Sequence, residues 1–155
     1  MTAPDVIVGF PELSATVVRA RLLAAHDRFW DTDHRALHDP VWFHQFGGFG
    51  ALAMSADDED VGYLLGAVTA DGLAYLHVLA VRDDRRGTGL EQRLGDWFDQ
   101  LAISIGARFV QAVARPDDTA AVAFHTALGA TGHPSSDHAG PGEDRVVLTR
   151  ALPRR

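Results

Sequence analysis

Residues 73–114 constrain the fold more than any other stretch. A strand-like run, Leu73–Arg82, leads into a turn rich in Arg and Gly. Beyond it Leu90, Leu94, Trp97, Phe98, Leu101 and Ile105 recur at the spacing of one helix face, and Gly106 marks the end of that helix. A second strand-like run, Arg108–Ala114, follows at once. A strand, helix, strand succession closes through a right-handed crossover, so the two strands are expected to lie parallel.

The elements around this unit point to an α+β domain with a mixed, mostly antiparallel sheet. A short extended start at Asp5–Phe10 precedes a helix carrying Val18, Leu22, Ala25 and Phe29 on one side, with Pro11 and Ser14 as entry signals. The runs Ala51–Ser55, Val61–Ala70 and Leu73–Arg82 read as a meander. The acidic run Asp57–Asp60 reads as a solvated loop between the first two, and Asp71-Gly72 as a two-residue type I′ turn between the others. Asp118 opens a helix bearing Ala121, Phe124, His125 and Leu128, which Gly129 closes, and Arg145–Ala151 is the last strand. Between them Pro134–Asp144 reads as a mobile surface loop. A length of 155 residues suits one domain, 1–155.

Composition narrows the chemistry. There are no cysteines, which excludes disulfides, thiolate metal sites and acyl-cysteine intermediates. The formal net charge is −7, which argues against nucleic acid or an anionic membrane as partner. No apolar run is long enough to span a bilayer and the first residues lack the pattern of a signal peptide, so the expected location is cytoplasmic.

The turn Arg82–Leu90 sits between a strand and the start of a long helix. Free amides and the positive end of the helix dipole converge there, as an anion such as pyrophosphate requires. Gly87 and Gly89 let that backbone approach a ligand closely. The pattern is neither a Walker A loop nor a complete dinucleotide fingerprint, and a capped turn that binds nothing would share it.

The same residues resemble the GNAT superfamily of acyl-CoA-dependent N-acyltransferases. Its cofactor motif, Arg/Gln-x-x-Gly-x-Gly/Ala after a strand ending in Leu-Ala-Val, is matched by Arg86-Gly87-Thr88-Gly89-Leu90-Glu91 after Leu79-Ala80-Val81. A second family element, Asn-x-x-Ala-x-x-Phe-Tyr-x-x-x-Gly-Phe, is matched in part by the run from Asp118 to Ala130. The likeness covers roughly residues 50–130. It implies a GNAT-like sheet with a V-shaped splay between the fourth and fifth strands and about four flanking helices. It further implies acceptor-side helices and an aromatic segment in 1–49, a cofactor-binding core in 50–130, and acetyl-CoA as co-substrate. Main-chain groups of Leu79, Ala80 and Val81 would pair with the pantetheine arm, while Arg86, Gly87, Thr88, Gly89, Leu90 and Glu91 surround the pyrophosphate and Asp118 lies beside the cofactor. Three positions depart from the family pattern: Glu91 replaces Gly or Ala, Asp118 replaces Asn, and His125 replaces Tyr. On an acidic chain, Arg85, Arg86 and the helix N-terminus are expected to make a local positive site for the polyanionic cofactor.

An alkyl ammonium has a pKa of ~10.4, so acyl transfer to an amine needs a proton acceptor. Arylalkylamine N-acetyltransferases of this superfamily carry a His-x-His pair at positions matching Tyr75 and His77, which gives His77 the base role, directly or through water. A packed, hydrogen-bonded strand histidine is the competing reading. His125, at the place of the family tyrosine, is assigned to protonate the leaving thiolate as an imidazolium, against plain packing on the sheet. The Leu79 amide would serve the oxyanion.

Two Trp and four Phe crowd Phe29–Phe49. Trp30, Trp42, Phe43 and Phe46, with Tyr75, are read as walls of a pocket for an apolar or aromatic acceptor, with ordinary core as the alternative. His34 and His38 have helical i,i+4 spacing but lack a third metal ligand, and are read as solvated surface. The expected activity is transfer of an acetyl or short acyl group to a small-molecule amine by direct attack. Its alternatives are acetylation of a protein lysine or N-terminus and a non-catalytic acyl-CoA-binding module. A homodimer is compatible with this reading.

Overall fold

The computed structural model describes residues 3–153. Seven strands form one sheet in the order β1-β2-β3-β4-β5-β7-β6. They are β1 (Val6–Gly9), β2 (Ala51–Met54), β3 (Asp60–Val68), β4 (Leu73–Val81), β5 (Phe109–Ala114), β6 (Thr131–Ser135) and β7 (Arg145–Ala151). Among the described residues four α-helices accompany them: α1 (Ala15–Ala24), α2 (His26–Phe29), α3 (Leu90–Ile105) and α4 (Thr119–Ala127). The chain gathers into two compact units, one of residues 3–67 and 77–101, the other of 68–76 and 102–153.

In the first unit, Ser14 caps α1 by accepting the Val17 amide, as its place before the apolar repeat predicts. Val18 and Leu22 then turn inward and pack with Phe10, Phe29, Phe43, Leu52, Tyr63, Leu65 and Val78. β1 runs antiparallel to β2, and β2 antiparallel to β3. Between β2 and β3 the acidic loop is solvated as read, with Asp57, Asp58 and Glu59 exposed, and it is also tied down. Asp60 pairs with Arg21 at 2.8 Å and Glu59 with Arg82 at 2.9 Å, while Ser55 Oγ accepts the Asp57 and Glu59 amides.

In the second unit, Leu73–Leu76 of β4 pairs in parallel with Phe109–Ala112, as the crossover rule requires, and β5 pairs antiparallel with β7. The turn before β4 differs from the expected type I′. Thr69 and Leu73 close the hairpin, the Gly72 amide donates to Thr69 O, and of the two turn residues Gly72 alone has positive φ, at 92°. This is the three-residue loop with a left-handed glycine, which Asp-Gly serves equally well.

The loop reading of Pro134–Asp144 is also corrected. Pro134 and Ser135 belong to β6, which pairs with β7 and is the edge strand, where a missing amide is tolerated. The remainder is a hydrogen-bonded turn: Asp137 Oδ1 accepts the Gly142 amide and Asp144 Oδ1 accepts the Asp137 amide, both at 2.8 Å.

Candidate active site

Alternation along β4 places Tyr75, His77 and Leu79 on the half-buried face and Ala74, Leu76, Val78 and Ala80 on the buried one. His77 Nε2 lies 2.8 Å from Leu37 O. A carbonyl accepts and does not donate, so this nitrogen carries the proton, and in the neutral ring the lone pair sits on Nδ1. Burial pushes the His77 pKa down, partly opposed by the bond to Leu37. Trp42 stacks on the ring at 3.9 Å between centroids, and Phe46 lies 5.4 Å from Trp42. Phe46 is exposed, Trp30 and Trp42 are half-buried, and Phe43 is buried against Phe10 and His38. Phe43 is therefore core, while Tyr75 is half-buried like Trp30 and Trp42; of the predicted aromatic wall, Trp42 and Phe46 are the two that pack beside His77.

Sequence reasoning missed what stands behind this wall. His38, read as solvated, is 1% exposed, and so is Tyr63. His38 Nδ1 donates to His34 O at 2.8 Å, leaving Nε2 as the acceptor of the Tyr63 hydroxyl at 2.7 Å. Tyr63 Oη in turn accepts the Trp30 indole N–H at 2.8 Å. His26, equally buried, accepts the His34 amide at Nε2 and donates from Nδ1 to Asp27. These histidines are thus held by protein groups, and among the described residues no cluster suited to a metal ion occurs. The irregular backbone of 30–50 hides all this from periodicity. The only legible signal was the density of His and aromatic residues.

The predicted glycine turn before the long helix is present. A short 3-10 turn at Asp83–Arg85 leads to Gly87 and Gly89, with φ of 75° and 89°. Nothing lies within 4 Å of a Cβ built at either glycine, so the backbone there faces open space at the head of the 16-residue α3. This fits a pyrophosphate cradled by main-chain amides. The arginines, however, are not a bare positive patch. Arg82 pairs with Asp84 at 2.7 Å, Arg85 with Asp5 at 3.0 Å, and Arg28 with Asp83 at 3.1 Å. Arg86 donates to Phe29 O at 3.0 Å and meets Asp31 at 3.4 Å. The positive potential for a polyanion must come chiefly from the α3 terminus. Glu91, half-buried, occupies its first turn.

The second unit carries Tyr75, Asp118 and His125. Burial raises the Tyr75 pKa, which keeps its phenol protonated. Asp118 caps α4, its carboxylate accepting the Ala121 amide at 3.1 Å. His125 is half-buried, with Phe124 edge-on at 5.2 Å. Burial first, then Arg150, lower its pKa, so the ring is mostly neutral at pH 7 rather than the imidazolium expected for a full acid.

The model of the acetyltransferase (GNAT) family matches residues 18–130. The chain belongs to this family. It is therefore an acetyltransferase, with acetyl-CoA as co-substrate. Solved structures share the fold at low identity. Ard1 from Thermoplasma volcanium is 16% identical with a TM-score of 0.76, over 98% of this chain and 100% of that one. The ribosomal-protein-S18-alanine N-acetyltransferase from Escherichia coli is 16% identical at TM-score 0.71, over 98% and 96%. An aminoglycoside 6'-N-acetyltransferase complexed with coenzyme A is 14% identical at TM-score 0.67, over 97% and 98%. A search of curated proteins by sequence finds no match.

Proposed function

We propose that the chain moves an acetyl group from acetyl-CoA to the amine of a small apolar or aromatic molecule by direct attack. The stack of Trp42 on His77, with Phe46 beside it, carries this reading: it sets a flat apolar surface next to a neutral histidine. Such a surface suits a ring or short alkyl chain, whereas an extended peptide needs main-chain hydrogen-bond partners as well.

Acetyl-CoA supplies the activated acyl carbon as a thioester. His77, neutral at pH 7, accepts the amine proton at Nδ1, directly or through water, while Leu37 O holds the Nε2 proton. The amine attacks the thioester carbon to give a tetrahedral intermediate, whose oxyanion accepts from the amide of Leu79 or a neighbour, and the C–S bond then breaks as the carbonyl re-forms and the thiolate leaves. The resemblance gives His125 a role toward the leaving sulfur, and a neutral N–H of that kind stabilises a thiolate without full proton transfer. Gly87, Thr88, Gly89 and Leu90 offer backbone to the pyrophosphate, and Arg86 turns to it by exchanging its bond to Phe29 O and its exposed, weak pair with Asp31 for the phosphate.

Thiol release over a panel of arylalkyl amines, alkyl amines and peptides with a free N-terminal alanine or a lysine tests this reading. The expected result is a kcat/KM at least about 10-fold higher for the small amines. Preference for a peptide would replace it with protein acetylation, and acetyl-CoA binding without turnover of any acceptor would leave a binding module.

A further inference from the structure

The chain from half-buried Trp30 to buried Tyr63 and His38 has fixed ends. An indole N–H can only donate and the His34 carbonyl can only accept, so every proton between them points one way, from Trp30 through Tyr63 to His38. Each link is 2.7–2.8 Å long, and Tyr63 and His38 are 1% exposed, so water does not compete. His38 is next in sequence to Leu37, whose carbonyl accepts the His77 Nε2 proton at 2.8 Å. Arg19 Nε holds the His38 carbonyl at 2.9 Å from the other side. The 3-10 turn Arg35–Leu37 is only two bonds long, Leu37 N–H to His34 O and His38 N–H to Arg35 O, both at 3.0 Å, so the buried His38 side chain adds to what fixes the Leu37–His38 peptide.

We propose that Tyr63 and His38 are positioning residues for His77: they hold the Leu37 carbonyl on Nε2 and thereby make Nδ1 the basic nitrogen of the ring. The inference rests on the base role proposed for His77, but its direct readout does not. In 15N-histidine-labelled full-length protein, long-range proton–nitrogen correlations report the His77 tautomer. Wild type is expected to show a single Nε2–H form. Tyr63→Phe removes the donor to His38 and the acceptor for Trp30 while keeping the ring, and is expected to give His77 a mixture of both tautomers. With it, kcat should fall about 10-fold and the KM for acetyl-CoA should stay unchanged. An unchanged tautomer in Tyr63→Phe overturns the proposal, whatever happens to turnover. A mixed tautomer with unchanged kcat upholds the positioning and removes His77 as the base. If Tyr63→Phe does not fold, His38→Gln carries the same measurement, because the amide cannot meet both Tyr63 and His34 O in the imidazole geometry.

Discussion

Trp42 lies nearly flat on His77, with ring centroids 3.9 Å apart and planes 11° from parallel. The indole covers one face of the imidazole, and burial is the largest cause of its lowered pKa. The base proposed at His77 must be unprotonated at working pH, and burial beneath this stack favours that form.

Trp42→Ala should therefore move the His77 pKa up, toward the ordinary histidine value of ~6.5. Proton NMR titration of the His77 ring reads this directly. The same variant should raise the KM of a small amine acceptor more than it lowers kcat, because the wall binds ground state and transition state alike.

The stability of the fold should depend on pH through its buried histidines. His38, His77 and His125 all have pKa values lowered mainly by burial. The unfolded chain then binds more protons than the native state once pH drops below the unfolded value of ~6.5. Their contribution is complete above that value and is lost as pH falls through the lower folded values. Urea unfolding should show lower stability at pH 5.5 than at pH 7.5. His38→Asn should flatten that difference, and an equal slope in the variant would count against His38 as a contributor.

Glu91→Gln should tighten acetyl-CoA binding. The carboxylate stands in the first turn of α3, where the pyrophosphate is proposed to sit. Removing it takes away a like-charge repulsion worth about 1 kcal/mol for close charges fully screened by water, or roughly 5-fold in Kd by calorimetry. The helix itself should lose about 0.3–1 kcal/mol, because a carboxylate at its N-terminus is favourable to the dipole. Affinity and stability thus move in opposite directions.

Gly89→Ala should weaken acetyl-CoA binding and lower the melting temperature together. With φ at 89° and no neighbour within 4 Å, the cost to the fold comes from backbone strain, not collision, and is about 1–2 kcal/mol. The added methyl group lies on the open side, where the ligand is proposed to approach. Normal affinity in a folded variant would argue that the turn is only a cap.

Local signals made much of this legible. The bounds of α3 follow from six apolar positions and Gly106, whose φ is 101°, and the caps Ser14 and Asp118 both accept the amides expected of them. The glycine turn is also local, since positive φ at Gly87 and Gly89 needs no distant partner. What escaped depends on distance along the chain. His38 looks like surface until Tyr63, 25 residues on, meets it. Arg86 looks like a free cation until Phe29 O and Asp31 reach it. β6 was obscured by Pro134, which only its edge position permits.

The most direct test of the account is the turnover of His77→Gln with a small amine acceptor, measured beside acetyl-CoA affinity. Gln can still donate toward Leu37 O but has no basic nitrogen. The account predicts a kcat lower by about 10²-fold or more with acetyl-CoA Kd unchanged. Turnover within about 3-fold of wild type would contradict it and leave His77 a packed strand histidine beneath Trp42.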